Sequence, residues 1–328
     1  MTDPTEALRQ ALARLEDPSG SGDLMSAGRV QLARVKEGLA TIVLEASGLA
    51  AEDRAALERR IRAALIGLPG ISDTRIAMSV EKRERTIIAV GSGKGGVGKS
   101  TLSANLAVAL SRLGRKVGLV DADIYGPSQP RIMGHHGRPE LHDQQIVPGV
   151  AHGIKVLSIG QLIEPGTAVA WRGPMTASAL GSLMDADWSG CDLLVVDLPP
   201  GTGDVQMTLI QKWKPAGAVI VSTPQDLALI DATRAIDLFR KMEVPILGLV
   251  ENMAGYQCPS CGEVSDPFGA GGAEAAARVM DIPFLGRVPL TMRIREASDA
   301  GIPPAAEDDY EGGIFRSIAQ KLIERIPA

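Results

Sequence analysis

The chain has 328 residues, of which 45% are hydrophobic and 22% are charged, and this composition excludes collagen-like, mucin-like and disordered proteins. A formal net charge of -5 argues against a broad basic surface for binding nucleic acid. Because no apolar run reaches the roughly 20 residues of a membrane-spanning helix and only three cysteines occur, we expect a cytoplasmic protein with reduced thiols and neither a membrane nor a nucleic-acid partner.

The first eighty residues show helix and strand signals but no nucleotide-binding motif. The predicted elements are a helix containing Leu8, Leu12 and Leu15, alternating apolar positions over 39–44, a helix over 51–66 and a strand over 75–80. They predict a small α+β domain over residues 1–80. A charged linker over 81–85 would then lead into a larger domain over 86–328.

From residue 86 onward, short apolar runs alternate with helical stretches. Strands are predicted over 86–90, 117–120, 154–159, 193–196, 218–221, 246–250 and 284–288, and helices over 100–113, 226–242, 272–280 and 313–326. This alternation predicts a doubly wound α/β domain with a mostly parallel sheet covered on both faces. Ligands of such sheets bind at the carboxyl ends of the strands.

Residues 93–100 read Gly-Lys-Gly-Gly-Val-Gly-Lys-Ser, between a predicted strand and a predicted helix. This context satisfies the P-loop pattern, in which glycines let backbone N–H groups surround a phosphate. Lys99 would then bind the outer phosphates of ATP, and the Ser100 hydroxyl would bind Mg²⁺. The predicted nucleotide-binding residues are Gly93, Lys94, Gly95, Gly96, Val97, Gly98, Lys99, Ser100 and Thr101.

Lys94 is a second lysine inside the loop, and spacing alone leaves open whether it is a solvated loop charge. The whole loop resembles the deviant Walker A motif of the MinD/ParA-like ATPases. That resemblance implies that Lys94 reaches the nucleotide of the partner subunit in a homodimer and takes part in catalysis.

Two predicted strands end in acidic residues, at the edge where ligands are expected. The sequence reads Asp-Ala-Asp-Ile-Tyr-Gly-Pro-Ser over 121–128 and Asp-Leu-Pro-Pro-Gly-Thr-Gly-Asp over 197–204. A single such acid is as often a turn or helix cap, but two in one P-loop domain favour a site for Mg²⁺ and water. The superfamily resemblance implies that Asp123 holds the attacking water and binds with Asp197 around Mg²⁺, with Gly201 near the γ-phosphate. Asp121 and Asp204 would support them.

Cys258 and Cys261 form a Cys-x-x-Cys pair in a predicted loop after the strand 246–250. The spacing is shared by zinc sites, iron–sulfur clusters and redox pairs, and an inert surface loop is a further alternative. Because zinc and cubane clusters usually take four protein ligands, two thiolates are half of a site. A twofold dimer would supply the other half, around either a bridging [4Fe-4S] cluster or a bridging zinc.

The larger domain resembles the Mrp family of iron–sulfur cluster carrier ATPases. The resemblance rests on these cysteines, the residues Val-Glu-Asn-Met over 250–253, the glycine-rich loop and both acidic motifs. The resemblance covers residue 86 to the end. It implies a [4Fe-4S] cluster held between subunits, exchanged with scaffold proteins and apo-proteins, with ATP binding and slow hydrolysis gating the dimer. It also implies that Asn252 faces the adenine base, although a strand-end cap fits the sequence nearly as well.

The first domain resembles the small domain that precedes many Mrp-type ATPases and is related to cytosolic cluster-assembly factors. Asp17-Pro18 and Gly28-Arg29-Val30 carry this resemblance. No cysteine occurs before Cys191, so we expect this domain to contact proteins rather than ligate a cluster. Cys191, at the start of a strand, is expected to be structural.

The main alternative is a spatial-positioning ATPase of the MinD/ParA type, acting at a membrane or on DNA. It would need a basic patch or an amphipathic carboxyl-terminal helix. The predicted helix 313–326 lacks a strongly basic face, and its spacing is typical of a helix packed on its own sheet. A nucleotide sensor without turnover is a third alternative, disfavoured by intact Lys99, Asp123 and Asp197.

Overall fold

The computed structural model describes residues 3–20, 22–46, 49, 51–79, 85–142, 145–162 and 173–326. The chain divides into two compact units, Met1–Glu84 and Arg85–Ala328. Residues 81–84 of the predicted linker lie outside the described residues.

The first unit is a three-stranded sheet with two helices on one face. Its elements are α1 (Pro4–Leu12), β1 (Val30–Lys36), β2 (Leu39–Glu45), α2 (Ala51–Leu65) and β3 (Asp73–Ser79). β2 lies in the centre, antiparallel to β1 and parallel to β3. Glu37 and Gly38 form the two-residue turn between β1 and β2, with φ angles of 52° and 81° that suit such a hairpin. The helices bury Leu8, Leu12, Leu57 and Ile61 against Ile42 and Leu44 of β2.

The second unit alternates strands and helices. Its strands are β4 (Thr86–Ser92), β5 (Val117–Asp121), β6 (Glu140–His142), β7 (Gln145–Val147), β8 (Gly149–Ala151), β9 (Ile154–Ser158), β10 (Leu193–Asp197), β11 (Gly217–Ser222), β12 (Ile246–Gln257), β13 (Val264–Ser265) and β14 (Phe284–Leu290). Its helices are α3 (Lys99–Arg112), α4 (Gln129–Ile132), α5 (Gly173–Met184), α6 (Asp204–Trp213), α7 (Asp226–Lys241), α8 (Gly272–Val279), α9 (Met292–Asp299) and α10 (Tyr310–Ile323).

The main sheet has the strand order β13-β12-β11-β4-β10-β5-β9-β8, and β14 pairs with β12. Its pairings are parallel except for the short edge strands β13 and β8. Separate hydrophobic clusters cover its two faces, one with α3 and α10 and the other with α5, α6, α7 and α8. The predicted fold class, a doubly wound and mostly parallel α/β sheet, is therefore confirmed.

The carboxyl-terminal helix begins three residues earlier than predicted, at Tyr310, because the Asp309 side chain accepts a hydrogen bond from Gly312 N–H and caps it. Its apolar face is buried in the core through Phe315, Ile318, Ala319 and Leu322. None of the described helices has the length and apolar character needed to cross a membrane.

The largest difference from the sequence prediction concerns β12, which continues to Gln257 instead of ending at residue 250. Residues beyond 250 pair with β14 and, near the end, with β13. These partners lie later in the chain, and the added stretch contains polar residues and a glycine, so local apolar patterning does not reveal it. The cysteine pair thus follows the end of a long strand directly.

Candidate functional site

The glycine-rich loop, residues 93–98, lies between the end of β4 and the start of α3. Gly96 and Gly98 have φ angles of 77° and 81°, in the left-handed region that favours glycine. A β-carbon at Gly93 would lie 2.0 Å from the backbone carbonyl carbon of Asp231 in α7, so there is no room for a side chain. The loop leads directly into the amino terminus of α3, where backbone N–H groups and the helix dipole favour anions.

Lys99 is the first residue of α3, and its side chain is buried. Its ammonium lies 2.7 Å from Oδ1 of Asp197 and 3.6 Å from Oδ2 of Asp123. It also donates a hydrogen bond of 3.3 Å to the Ser100 hydroxyl. Burial disfavours the charged ammonium, but the carboxylates of Asp197, Asp123 and Asp121 together outweigh burial and raise the pKa of Lys99. The fold thus brings four of the predicted site residues together.

The acidic residues meet because β5 and β10 are adjacent parallel strands, with Asp121 in register with Asp197. The Asp121 carboxylate accepts hydrogen bonds from the backbone N–H groups of Ser128 and Gln129, both at 3.0 Å, and from the Ser158 hydroxyl at 2.9 Å. Burial, and after it the nearby Asp197 charge, raises the pKa of Asp121 to about 7. Asp121 therefore anchors the loop that follows β5.

Asp123 stands at the start of that loop, which turns around its carboxylate. Oδ1 accepts hydrogen bonds from the N–H groups of Tyr125 and Gly126, both at 3.2 Å, while Oδ2 faces Lys99. The Ser100 hydroxyl and the carboxylates of Asp123 and Asp197 are hard oxygen donors of the kind that Mg²⁺ prefers. The donor set therefore fits Mg²⁺.

Gln129, the first residue of α4, belongs to this site although the sequence analysis missed it. Its side chain is fully buried, and its amide donates to the carbonyl oxygen of Ser100 at 3.0 Å and to Oδ2 of Asp197 at 2.9 Å. Its Oε1 is buried without a hydrogen-bond partner in the part of the chain that the structure describes. Ser103 donates to the other carboxylate oxygen of Asp197 at 2.8 Å. Asp197 is thus held from three sides, and an unused acceptor lies beside it.

Gly201 lies in the loop between β10 and α6. Its φ angle is 88°, and its N–H donates a hydrogen bond of 2.8 Å to the carbonyl oxygen of Ser92 at the end of β4. Gln206, buried in α6, braces this loop by donating to the carbonyl oxygens of Pro199 at 2.7 Å and Gly201 at 3.0 Å. The loop is thereby held against the start of the glycine-rich loop, while Asp204 begins α6.

Lys94 is positioned differently from Lys99. Its ammonium donates a hydrogen bond of 3.3 Å to Oε1 of Gln225, the residue before α7. The side chain is half-buried. Within one chain, the structure therefore places the Lys94 ammonium beside the start of α7.

A cavity of about 620 Å³ opens next to the amino terminus of α3. Its walls include Gly98 and Thr101 on one side and Met253, Pro289 and Leu290 on the other. Asn252 also lines it, and its amide donates a hydrogen bond of 2.8 Å to the carbonyl oxygen of Val97 in the glycine-rich loop. The mostly apolar walls and the volume suit a nucleoside next to the phosphate loop. Asn252 is inside β12, so it is not the strand-end cap that was the alternative prediction.

Cys258 and Cys261 lie in the turn between β12 and β13. The turn is closed by a hydrogen bond of 2.8 Å from Cys258 N–H to the Glu263 carbonyl oxygen, and Cys261 is exposed. Backbone N–H groups of Cys261 and then Ser260 stabilise the thiolate and lower the pKa of Cys258. Within the described ranges, no group of three or more His, Cys, Asp and Glu side chains is arranged to hold a metal ion. A metal-binding role of the pair stays a prediction.

Cys191, in contrast, is half-buried beside the hydrophobic cluster that contains Trp188. Burial raises the pKa of its thiol.

In the first unit, Asp17 and Arg29 form a buried ion pair with an Nε to Oδ1 distance of 2.5 Å. This ion pair joins the two short motifs on which the resemblance of this unit rests, Asp17-Pro18 and Gly28-Arg29-Val30.

Comparison with known proteins gives one family and two groups of relatives. The ParA family model, described as the NUBPL iron-transfer P-loop NTPase, matches residues 83–323. The iron–sulfur cluster carrier protein of Deinococcus radiodurans is 41% identical over 336 residues, which cover 98% of this chain and 95% of that protein. The mouse iron–sulfur cluster transfer protein NUBPL is 44% identical over 284 residues, covering 85% and 87%.

Solved structures of nucleotide-binding proteins are also similar to this chain. A nucleotide-binding protein of Archaeoglobus fulgidus, in complex with ADP, is 38% identical with a TM-score of 0.61 and covers 74% of this chain and 92% of its own. The cell division ATPase MinD of Pyrococcus furiosus is 26% identical with a TM-score of 0.55, covering 73% and 98%.

Proposed function

We propose that this chain, which belongs to the ParA family of iron-transfer P-loop NTPases, is an ATP-dependent carrier. It would hold an iron–sulfur cluster and deliver it to apo-proteins. One observation carries the proposal. The strand β12 places Asn252 against the glycine-rich loop and ends at Gln257, directly before Cys258, so a single continuous element links the nucleotide site to a thiolate pair. Relatives named as iron–sulfur carriers support the same reading.

In this proposal the residues around Lys99 bind and hydrolyse ATP. The glycine-rich loop surrounds the phosphates, and Lys99 moves from its ion pair with Asp197 to the outer phosphates. Ser100, Asp123 and Asp197 hold Mg²⁺, which neutralises charge on the phosphates, and Asp123 also orients the attacking water. Gly201 lies near the γ-phosphate, and Asn252 faces the adenine base.

The cargo is a [4Fe-4S] cluster bound between two copies of this chain. Each subunit supplies Cys258 and Cys261, so a twofold axis through the cluster gives the four thiolates that it requires. In the same dimer, Lys94 reaches the partner's nucleotide. Slow hydrolysis gates the dimer, cluster scaffold proteins load it, and the thiolates of apo-proteins take the cluster over by ligand exchange. Such chemistry needs reduced thiols, as found in the cytosol.

A spatial-positioning ATPase shares this fold, as the MinD comparison illustrates. That function would use the carboxyl-terminal helix as a membrane anchor, but α10 buries Phe315, Ile318 and Leu322 in the core of its own sheet. No observation in the described residues therefore favours it over the carrier.

The test is anaerobic reconstitution with ferrous iron and sulfide. Wild type and Cys191→Ala, the matched control, should bind about four iron and four acid-labile sulfide ions per dimer. The double variant Cys258→Ala, Cys261→Ala should bind neither and should have the same secondary structure. Equal iron in the double variant would refute the carrier, and zinc without sulfide would replace the cluster by a bridging zinc ion. Light scattering with and without ATP measures the molar mass and so shows whether the protein is a dimer.

A further inference from the structure

The cysteine pair lies in a segment of the chain whose two ends are close together. This cysteine segment, residues 253–270, begins within β12 directly after Asn252, continues to the end of that strand, passes through the turn and β13, and returns at Gly271 just before α8. At its start β12 bulges away from β14. Between the pairs Asn252–Val288 and Tyr256–Leu290 there are three residues on β12 and one on β14.

Left-handed backbone accompanies the bulge. Met253 and Gly255 have φ angles of 59° and 79°. A positive φ is uncommon for a residue other than glycine and costs energy unless the surrounding structure imposes it. The local sequence therefore does not by itself fix the direction in which the cysteine segment leaves the sheet.

Glu251 closes the segment. It precedes Asn252 on β12, and its carboxylate is fully buried. The carboxylate accepts hydrogen bonds from Gly271 N–H at 3.3 Å and from Ala273 N–H at 2.8 Å, which are the returning end of the segment and the first turn of α8. It also accepts one from Nε of Arg287 at 2.9 Å.

These contacts do more than neutralise a buried charge. Gly271, the residue that precedes α8, has no side chain to cap the helix, so Glu251 caps it from another strand. Arg287 compensates the carboxylate, since an unpaired buried charge would be costly. The returning end is thereby fixed next to the residue from which the segment departs. That residue, Asn252, contacts the phosphate loop through Val97.

We propose that Glu251 is the positioning residue that fixes the cysteine segment beside the phosphate loop, so that Cys258 and Cys261 meet their partner pair in a defined geometry. The part that concerns the cluster rests on the proposed function. The part that concerns the segment does not.

The experiment compares Glu251→Gln with Glu274→Gln in the full chain. The Glu274 carboxylate also accepts a hydrogen bond from Arg287, at 2.5 Å, whereas the N–H groups of Gly271 and Ala273 donate to Glu251, so Glu274 is the matched control. Hydrogen exchange read by mass spectrometry should speed up at least about tenfold over residues 256–271 in Glu251→Gln, because a hydrogen bond to a charged group contributes about 1.5–3 kcal/mol. β11 should exchange as in wild type. Glu274→Gln should leave residues 256–271 unchanged.

Reconstituted iron per dimer should fall at least about twofold in Glu251→Gln, while ADP affinity stays within about threefold of wild type. Glu251→Asp, which keeps the charge opposite Arg287 but reaches less far, should show the same exchange pattern and guards against misfolding of the glutamine variant. Unchanged exchange over 256–271 in both variants would overturn the proposal, as would full iron loading despite faster exchange. If wild type binds no iron, the carrier function fails, and the exchange data still decide whether Glu251 fixes the segment.

Discussion

The ammonium of Lys99 lies 2.7 Å from Oδ1 of Asp197, and this buried ion pair joins the phosphate loop to the end of β10. Ser103 and Gln129 hold the same carboxylate, so Asp197 is fixed whether or not the lysine stays beside it. The lysine can therefore exchange one anionic partner for another without leaving the carboxylate free to move.

Lys99→Ala should abolish ATP binding and lower the free energy of unfolding by about 3 kcal/mol, because removal of one partner leaves a buried charge unpaired. Urea denaturation followed by tryptophan fluorescence, together with calorimetric titration of ATP, measures both effects. The double variant Lys99→Met, Asp197→Asn should recover most of the stability and none of the binding. Wild-type hydrolysis in Lys99→Ala would contradict the site assignment.

Lys94→Ala should affect hydrolysis far more than binding. If Lys94 acts across the dimer, each protomer still binds its own ATP, with an affinity within a few-fold of wild type, whereas the rate of hydrolysis falls at least about a hundredfold, as when a trans-acting charge is lost. Gln225→Ala removes only the hydrogen bond within the chain and is the control. A weaker ATP affinity with unchanged turnover would instead make Lys94 a ligand of its own nucleotide.

Gln129→Leu should weaken the dependence of ADP affinity on Mg²⁺. The amide of Gln129 contacts Asp197, and its free oxygen lies beside the proposed metal ligands. Gln206→Leu is a matched variant, since Gln206 is also buried, its Oε1 has no hydrogen-bond partner among the described residues, and its amide donates to two carbonyl oxygens instead of a carboxylate. We expect the gain in ADP affinity on adding Mg²⁺ to fall about tenfold in Gln129→Leu alone. An equal fall in both variants would show a general packing effect.

The thiols of Cys258 and Cys191 should react with iodoacetamide over different pH ranges in metal-free protein. The thiolate is the reactive form, so a lowered pKa moves the rise in rate to lower pH. Neighbouring N–H groups lower the pKa of Cys258, and its midpoint should lie below the usual cysteine range. Burial raises the pKa of Cys191, whose midpoint should lie above that range. Mass spectrometry of each peptide against pH gives the order, and a Cys191 midpoint below that of Cys258 would reverse it.

The phosphate loop could be predicted because its functional residues are consecutive, so that spacing in sequence is spacing in the structure. The contact between Gln129 and Asp197 could not be predicted from the sequence. It depends on β5 lying next to β10, and the order of strands in a sheet does not follow from the residues of either segment. The same holds for Glu251. Its acidic side chain suggests a solvent-facing residue, and only the return of the chain at Gly271 explains its burial.

The close approach of Gly98 to Asn252 brings together two segments that are far apart in the sequence. A β-carbon at Gly98 would lie 2.0 Å from Nδ2 of Asn252. Any larger residue at position 98 must therefore displace the amide that donates to the Val97 carbonyl oxygen. Substitution of Gly98 would thus disturb not only the glycine-rich loop but also β12, the strand that leads to the thiolates.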